Sequence, residues 1–298
     1  QPAIFLIEIS LAEFLIKSGL IPDYLVGHSV GEISAAYISG VLSLESASKI
    51  ITKRAQLMMS CKPGGMLAVL LDEEGTRKLL PNRLDVAAIN SRQVTVVSGS
   101  EDDLNKFKEM LKEKGVIYKK LKSSHAFHSY MMEPIQNQFE QYLEKFTFSM
   151  PSIPLISTVT ENYVSDSDIL SPKYWASQVR NTVRFEGALS NHLINRNPIF
   201  IEVGPGDSLK TSLSYIDKSA ICLSLIQQDK SNIQSYDLIQ KDIIERSWVF
   251  GANIRQTPYN NYGNAQLIEL PTTQYQKKQF WIDKMTKPFE YGEDLVFV

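Results

Sequence analysis

The pentapeptide Gly27-His28-Ser29-Val30-Gly31 stands between an apolar strand and an amphipathic helix, and it decides the fold. A serine between two glycines at a strand-to-helix turn is typical of a nucleophile elbow. We predict the strand over 24–26 and the helix over 32–39, with Gly40 as its C-terminal stop. Such a turn places Ser29 at a helix N-terminus, where free N–H groups favour a developing oxyanion. The alternative is a chance match in a loop.

The composition is that of a globular protein. The chain has 298 residues, of which 43% are hydrophobic and 21% charged, so we expect a large core with an added lobe. A net charge of -2 without a basic stripe argues against nucleic acid as a partner, and no apolar run approaches the length of a membrane span. Cys61 and Cys222 lie far apart, which favours free thiols in a reducing compartment, so we expect a cytoplasmic location.

The order of the predicted elements divides the chain into a core, an inserted lobe and a tail. Residues 1–62 alternate helix and strand in the rhythm of a parallel α/β sheet, and this rhythm resumes over 123–250. Residues 63–122 follow the order βαββαβ, which is typical of a ferredoxin-like subdomain. Residues 251–298 show little periodicity and are predicted to form an extended linker. The predicted fold class is α/β, a hydrolase-like parallel sheet core carrying this subdomain and linker.

A serine nucleophile needs a general base, and the chain has four histidines. We interpret His28, which adjoins the serine, as a support for the elbow, and His192 as a surface or capping residue of a helix. His125 and His128 lie together where the chain returns from the inserted lobe to the core, which favours a general base at this junction. A metal pair is the alternative, but no acidic residue or cysteine nearby in sequence completes a ligand set. We therefore expect no metal.

Arg54 is out of place on the predicted helix that begins at Leu44, because it falls on the same stripe as the apolar residues. A buried guanidinium needs a partner, since an isolated buried charge is strongly unfavourable. Two partners are open at this point. One is an internal Asp or Glu, and the other is the free carboxylate of a substrate, which an arginine binds through two parallel hydrogen bonds.

Three of these segments together resemble the acyltransferase domain of modular polyketide synthases and the related malonyl transacylases of fatty acid synthesis. They are the elbow 27–31, the arginine segment 53–58 and His125-Ala126-Phe127-His128. Their order and spacing also match that family. The resemblance extends over nearly the whole chain through the segments 174–175, 181–185, 202–206, 270–276 and 280–281.

The resemblance implies that Ser29 is the acyl-accepting nucleophile and His128 its general base, oriented by a backbone carbonyl. Arg54 would hold the carboxylate of an extender unit, and Val30 would donate one N–H to the oxyanion. The implied reaction is ping-pong: malonyl passes from malonyl-CoA to Ser29 and then to the phosphopantetheine thiol of an acyl carrier protein. Adjacent ketosynthase and other synthase domains are implied as partners, and no permanently bound cofactor is implied.

Donor specificity follows from the same resemblance. The segment 125–128 is similar to the signature of malonyl members, whereas methylmalonyl members have Tyr-Ala-Ser-His. The ring of Phe127 would occupy the volume that an α-methyl group needs. Acetyl would leave the arginine unpaired and is expected to be a poor donor. The residues expected to contact substrate are Arg54, Val30, His125, Phe127 and His28.

The chain departs from that family pattern at its start. Members begin upstream of the position of Gln1 with a Phe-Pro-Gly-Gln-Gly-type strand and turn that supplies a second oxyanion donor, so we expect this sequence to be a fragment. Two alternatives to the transferase stay open. A serine hydrolase or thioesterase would release the acyl group to water, and Arg54 argues against it. A truncated, non-catalytic scaffold is the other, and the intact Ser29 and His128 argue against that.

Overall fold

A computed structural model describes residues 1–226, 236–254 and 295–297, which build two β-sheets with helices packed around them. None of the helices in these ranges is long and apolar enough to cross a bilayer. In chain order the elements are α1 (Pro2–Lys17), β1 (Tyr24–Val26), α2 (Gly31–Ile38), α3 (Leu44–Ser60), β2 (Gly65–Val69), α4 (Glu73–Leu79), β3 (Leu84–Ser91), β4 (Val94–Gly99), α5 (Glu101–Glu113), β5 (Tyr118–Lys120), α6 (Glu133–Leu143), β6 (Leu155–Ile156), α7 (Asp166–Ile169), α8 (Pro172–Ser177), α9 (Phe185–His192), β7 (Ile199–Pro205), α10 (Ser208–Ile216), β8 (Ile221–Ile226), α11 (Tyr236–Val249) and β9 (Leu295–Phe297).

The larger sheet has the strand order β6-β1-β9-β7-β8, and every neighbouring pair is parallel. Its strands are apolar on both faces, as a parallel sheet covered by helices requires. Phe200 and Ile201 of β7, for example, are fully buried. Strand β1 leads directly into the turn that carries Ser29, and α2 follows that turn. The predicted parallel α/β core is confirmed.

Strand β9 contradicts part of the prediction for 251–298. Leu295–Phe297 pairs with β1 on one side and β7 on the other, and Val296 is fully buried, so these residues form a central strand rather than linker. A run of three apolar residues has no periodicity from which a strand can be predicted. It becomes a strand because two neighbours supply its hydrogen bonds. The remaining predicted linker, 255–294, lies outside the described residues, together with the tail segments that carried the resemblance.

The smaller sheet is antiparallel, with the strand order β3-β4-β2-β5. Its elements follow the order βαββαβ within 65–120, as predicted for the insertion. Helix α5 begins where the Ser100 side chain accepts from the Asp103 N–H, and Gly115 adopts a positive φ of 66° beyond its end. The α/β fold with a ferredoxin-like sheet order is therefore as expected, while the domain boundaries themselves stay a prediction.

Two elements differ in their bounds from what the sequence pattern predicts, and two others have no counterpart in it. The apolar run 154–159 predicts a strand, but the structure has only Leu155–Ile156, because the next residues turn and bring Thr158 against the elbow. The pattern over 187–195 predicts a helix, which in the structure is α9, Phe185–His192, followed by a short 3₁₀ turn at Ile194–Arg196. Helix α10 and strand β8 were not predicted at all. Strand β8 pairs with β7 along its length, so it is stabilised by a partner that lies some distance away in sequence.

Helix α1 contains a half-buried carboxyl group that makes the free energy of unfolding depend on pH. Glu8 accepts a hydrogen bond from the Ser34 hydroxyl of α2, and burial raises the pKa of Glu8 from 4.5 to about 7. A folded-state pKa above the unfolded one contributes stability that is present below pH 4.5 and is lost as the pH rises through 7. We expect Glu8→Gln, which keeps the acceptor, to be more stable than wild type by roughly 1–3 kcal/mol at about pH 8. The difference should vanish near pH 4.5.

Urea unfolding at these two pH values measures the effect. Glu13→Gln is the matched control, because Glu13 also lies on α1 and accepts from a hydroxyl of α2, that of Tyr37, but is more exposed. Its pKa is lowered by the Tyr37 hydrogen bond, so this substitution should bring no gain in stability at the higher pH. An equal effect of Glu8→Gln at both pH values would contradict the titration argument.

Candidate active site

Ser29 lies on a strained turn between β1 and α2. Its φ is +54°, a left-handed conformation that is rare for residues other than glycine and typical of a nucleophile elbow. A Cβ on Gly27 would lie 2.1 Å from the Glu32 backbone nitrogen, so this position admits no side chain. A Cβ on Gly31 would meet nothing within 4 Å. Lack of space for a Cβ therefore explains the glycine at position 27 but not the glycine at position 31.

The hydroxyl of Ser29 reaches His128. The distance from Ser29 Oγ to His128 Nε2 is 2.7 Å, and His128 Nδ1 lies 2.9 Å from the Asn181 carbonyl oxygen. A carbonyl oxygen only accepts, so Nδ1 carries the proton, and Nε2 accepts from the Ser29 hydroxyl. His128 also has a positive φ, 58°, which turns its ring out of the loop that precedes α6. Serine, histidine and carbonyl thus form a hydrogen-bonded chain suited to remove the serine proton.

The environment keeps the imidazole of His128 neutral. The side chain is 4% exposed, and burial, with a further contribution from the Arg54 charge, lowers the pKa of His128 from 6.5 to about 3. The imidazole is therefore neutral at neutral pH, so Nε2 has a free lone pair towards the Ser29 hydroxyl.

Arg54 projects from α3 into the same site. Ser43 caps the start of this helix, and Arg54 is 2% exposed. Its Nη2 donates to Ser29 Oγ at 3.3 Å, and its Nη1 donates to the side-chain oxygen of Gln1. Within the described ranges Arg54 makes no ion pair with a carboxylate, and its Nε has no hydrogen-bond partner. The internal ion pair considered from sequence is therefore not formed there.

Arg54 is nevertheless charged at neutral pH. Burial lowers the pKa of Arg54 to about 10, while the nearby carboxyl group of Glu32 acts in the opposite direction. A buried cation with spare donors beside a nucleophilic hydroxyl is a ready-made site for an anionic group. The geometry thus favours an external anion as its partner.

The backbone of the elbow offers a donor at Val30. The N–H groups of Gly31, Glu32 and Ile33 donate to carbonyl oxygens within the turn, whereas no acceptor for the Val30 N–H is found among the described residues. A cavity of about 310 Å³ borders this part of the elbow. Its lining includes Val30 and the end of β7 at Gly204 and Pro205, but not Ser29, His128 or Arg54. The end of β7 therefore borders a cavity next to the elbow.

The remaining predicted residues surround this centre without joining it. His28 Nε2 lies 2.8 Å from Asn90 Oδ1 of β3, which ties the elbow to the smaller sheet and agrees with a supporting role. His125 is buried, contacts the Ser124 hydroxyl through Nδ1 at 2.8 Å and stacks on Phe127 with ring centroids 6.1 Å apart. Of the two histidines at this junction, only His128 reaches the serine.

His192 contributes nothing to the centre. It is the last residue of α9, and its Nε2 lies 3.1 Å from the Glu161 carbonyl oxygen. His192 thus lies outside the centre, and its hydrogen bond joins α9 to another segment rather than capping the helix.

Three neighbours of the site had no recognisable signal in the sequence. The Asn181 carbonyl orients His128 although any residue type carries such a group, and its position depends only on the path of the chain. Asn90 and Gln1 contact His28 and Arg54 from positions more than fifty residues away, 62 and 53 respectively. Polar side chains at such separations become partners only through the tertiary fold.

The arrangement is that of nucleophilic acyl-transfer chemistry. A hydroxyl in contact with a neutral, oriented imidazole can attack an acyl carbon, and a free N–H at a helix start can stabilise the oxyanion. The buried arginine adds a place for a negative charge on the acyl group.

Comparison with known proteins identifies the family of this chain. The acyl transferase domain family matches residues 1–243, and the chain belongs to that family. The chain is 33% identical over 285 residues to the mycoketide-CoA synthase of Mycobacterium tuberculosis, covering 95% of this chain and 7% of that protein. It is also 33% identical over 301 residues to polyketide synthase GfsA of Streptomyces halstedii, covering 97% and 4%. The chain thus spans a small part of these relatives.

Solved structures agree with this family. The acyltransferase domain from the second module of the salinomycin polyketide synthase has a TM-score of 0.79 at 30% identity, with 88% of this chain and 63% of that chain covered. The enzyme MCAT from Streptococcus pneumoniae has a TM-score of 0.72 at 27% identity, with 82% and 80% covered. The fold is that of the acyltransferase domains of polyketide synthases, and the chain is an acyltransferase of that kind.

Proposed function

We propose that this chain loads malonyl from malonyl-CoA onto Ser29 and transfers it to the phosphopantetheine thiol of an acyl carrier protein. The observation that carries this proposal is Arg54: a buried guanidinium with spare donors, 3.3 Å from Ser29 Oγ and without a carboxylate partner in the described ranges. In a malonyl ester on Ser29, the free carboxylate is at the far end of the acyl group from the serine oxygen. Such a carboxylate would supply the missing partner.

In the loading step Ser29 Oγ attacks the thioester carbonyl carbon while His128 Nε2 accepts the hydroxyl proton. The carbonyl oxygen becomes an oxyanion, which the Val30 N–H stabilises. The carbon–sulfur bond then breaks, and the coenzyme A sulfur leaves with the proton held on His128. Asn181 keeps the ring in place throughout, because its carbonyl binds the Nδ1 proton of both neutral and protonated imidazole.

The transfer step repeats this chemistry with a thiol. His128 accepts the proton of the phosphopantetheine thiol as its sulfur attacks the ester, and the proton returns to Ser29 Oγ when the ester bond breaks. No bound cofactor is required. The acyl carrier protein is the second partner, and we further propose that a ketosynthase and other domains lie beside this one in a cytoplasmic synthase, since the relatives are far longer than the chain.

The mass of the intact protein after brief incubation with malonyl-, methylmalonyl- or acetyl-CoA tests the proposal, with Ser29→Ala as the blank. We expect a malonyl adduct that is absent from the blank and weak with the other two donors. Coenzyme A release without an adduct would indicate a serine hydrolase instead. No adduct and no release above the blank from a folded chain would contradict the transferase and favour the scaffold.

Phe127 provides a prediction about the donor. Its ring is half-buried, stacks on His125 and belongs to the residue before His128, and we propose that it faces the acyl group. We expect Phe127→Ala to raise the methylmalonyl-to-malonyl ratio of kcat/KM by about tenfold, because a methyl group is worth 1–3 kcal/mol in such a pocket. Phe146→Ala is the control, since Phe146 also packs half-buried against the core but stacks on Tyr142. An equal change of the ratio in both variants would refute the steric role.

A further inference from the structure

Glu32 is a buried carboxyl group that the mechanism above does not use. It lies in the first turn of α2, three residues after Ser29, and is 6% exposed. One carboxyl oxygen accepts from the N–H of Thr158 at 2.8 Å and from its hydroxyl. The other accepts from the Tyr174 hydroxyl at 3.2 Å and from the Gln178 side-chain amide. Both oxygens are thus engaged by donors from two other segments of the chain.

On one side Glu32 connects to the nucleophile. Its backbone N–H donates to the Ser29 carbonyl oxygen at 3.2 Å. The Thr158 hydroxyl that contacts the Glu32 carboxyl group also lies 3.2 Å from the Gly27 carbonyl oxygen. Gly27 is therefore linked to the Glu32 carboxyl group through Thr158, and Ser29 is bonded to the backbone of the same residue.

On the other side Glu32 connects to the base. Tyr174 lies on α8, and Gln178 follows directly after that helix. Three residues later is Asn181, whose N–H donates to the Ser177 carbonyl oxygen at 3.0 Å and whose own carbonyl holds His128. The side chains that grip Glu32 thus belong to the same turn that orients the imidazole. Movement of this turn against α2 would change the distance between Ser29 Oγ and His128 Nε2.

A purely structural role explains the carboxyl group poorly. Within the described ranges Glu32 forms no ion pair, and burial raises its pKa from 4.5 to about 7. A buried carboxyl group without an ion pair costs stability compared with a well-packed apolar residue. A carboxyl group can nevertheless fix geometry, because its two coplanar oxygens accept hydrogen bonds from two segments and hold them at a defined separation.

We propose that Glu32 is a positioning residue that sets the alignment of Ser29 with His128 by joining the elbow to the turn that carries Asn181. The inference rests on the proposed roles of Ser29 and His128. Glu32 touches neither the donor nor the reacting atoms. Its removal should therefore slow the reaction of Ser29 with every electrophile to a similar extent, whether or not the electrophile carries a carboxylate.

The test measures the second-order rate of Ser29 labelling by a small fluorophosphonate, corrected for the folded fraction. We expect Glu32→Ala to lower this rate by about ten- to a hundredfold, as a misplacement near 1 Å does. Glu32→Gln should recover most of the rate. The new amide keeps an acceptor for Thr158 and can donate to Gln178 Oε1, which has no partner among the described residues. A loss of stability alone would leave the labelling rate per folded molecule unchanged in both variants.

Glu202→Gln is the matched control. Glu202 is 5% exposed and accepts from the N–H groups of Leu209 and Lys210 and from the Ser224 hydroxyl, so it is an equally buried and bonded carboxyl group. It has no hydrogen bond to Ser29, His128 or the Asn181 turn. We expect this variant to label at the wild-type rate per folded molecule, even if its stability falls.

Two results would overturn the proposal: wild-type labelling by Glu32→Ala, or an equal loss in Glu202→Gln. Should Glu32→Ala fail to fold, Thr158→Val decides, because it removes the hydroxyl shared by Glu32 and Gly27 at constant shape. We expect a several-fold loss there, and no loss would count against the proposal. The probe needs neither coenzyme A nor a carboxylate, so the result is independent of malonyl loading. A wild type that labels but forms no malonyl adduct would refute only the proposed function.

Discussion

His128→Ala is expected to lower the rate of malonyl loading by about 10⁴-fold or more while the protein stays folded. The Ser29 hydroxyl then has no acceptor for its proton at 2.7 Å, and a neutral hydroxyl is a weak nucleophile. The low pKa of about 3 for His128 means that the wild-type base is neutral over the whole accessible range near neutrality. Loss of the ring therefore removes an active base rather than a partly protonated one.

The measurement is single-turnover loading followed by intact mass, with unfolding midpoints recorded in parallel. His192→Ala is the control, because that histidine is the last residue of α9 and contacts the Glu161 carbonyl oxygen and the Tyr163 ring rather than the site. The control should load malonyl at the wild-type rate. Loading by His128→Ala within tenfold of wild type would mean that another group accepts the Ser29 proton.

Arg54→Ala is expected to reverse the preference between malonyl and acetyl donors. The wild-type guanidinium is buried beside Ser29 Oγ and has no carboxylate partner in the described ranges, so we expect it to pair with the malonyl carboxylate. Breaking a buried pair of this kind costs 3–5 kcal/mol, which is roughly 10²–10³-fold in kcat/KM for malonyl-CoA. Acetyl-CoA has no free carboxylate, so its kcat/KM should fall far less. The malonyl-to-acetyl ratio of kcat/KM therefore measures the interaction of Arg54 with the acyl carboxylate.

Arg54→Lys separates charge from geometry. A lysine keeps the positive charge but cannot form two parallel hydrogen bonds, so we expect it to restore only part of the malonyl preference. The hydrogen bond from Arg54 Nη2 to Ser29 Oγ is lost in the alanine variant for both donors alike. An equal fall for malonyl and acetyl would therefore show that Arg54 serves the serine alone and not the acyl carboxylate.

Several features of this site could be predicted from local sequence patterns. A glycine two residues before a serine at a strand end indicates a tight turn, and Gly27 has no room for a Cβ. An arginine on an apolar helix stripe must face inward, and Arg54 does. These properties depend on spacing along one or two elements, and that spacing is written in the sequence.

Other features were settled only when distant segments met. The partner of His128 is a backbone carbonyl, which has no sequence signature at all. Strand β9 enters the centre of the sheet although its three residues show no pattern, because β1 and β7 supply its hydrogen bonds. In the sequence, Glu32 is an acidic residue in the first turn of a helix, a position where acids are favoured. Its burial depends on contacts with Thr158 and Tyr174, which are distant in sequence.

The sequence by itself determined the α/β class, the elbow at Ser29 and the inward direction of Arg54, since each follows from the periodicity of a local segment. The tertiary structure alone decided which histidine reaches the serine, what orients that histidine and that Arg54 meets no carboxylate within the described ranges. The physical reason is that hydrogen bonds and ion pairs act over about 3–4 Å in space. Residues far apart in the chain come within that range only when the two sheets pack together.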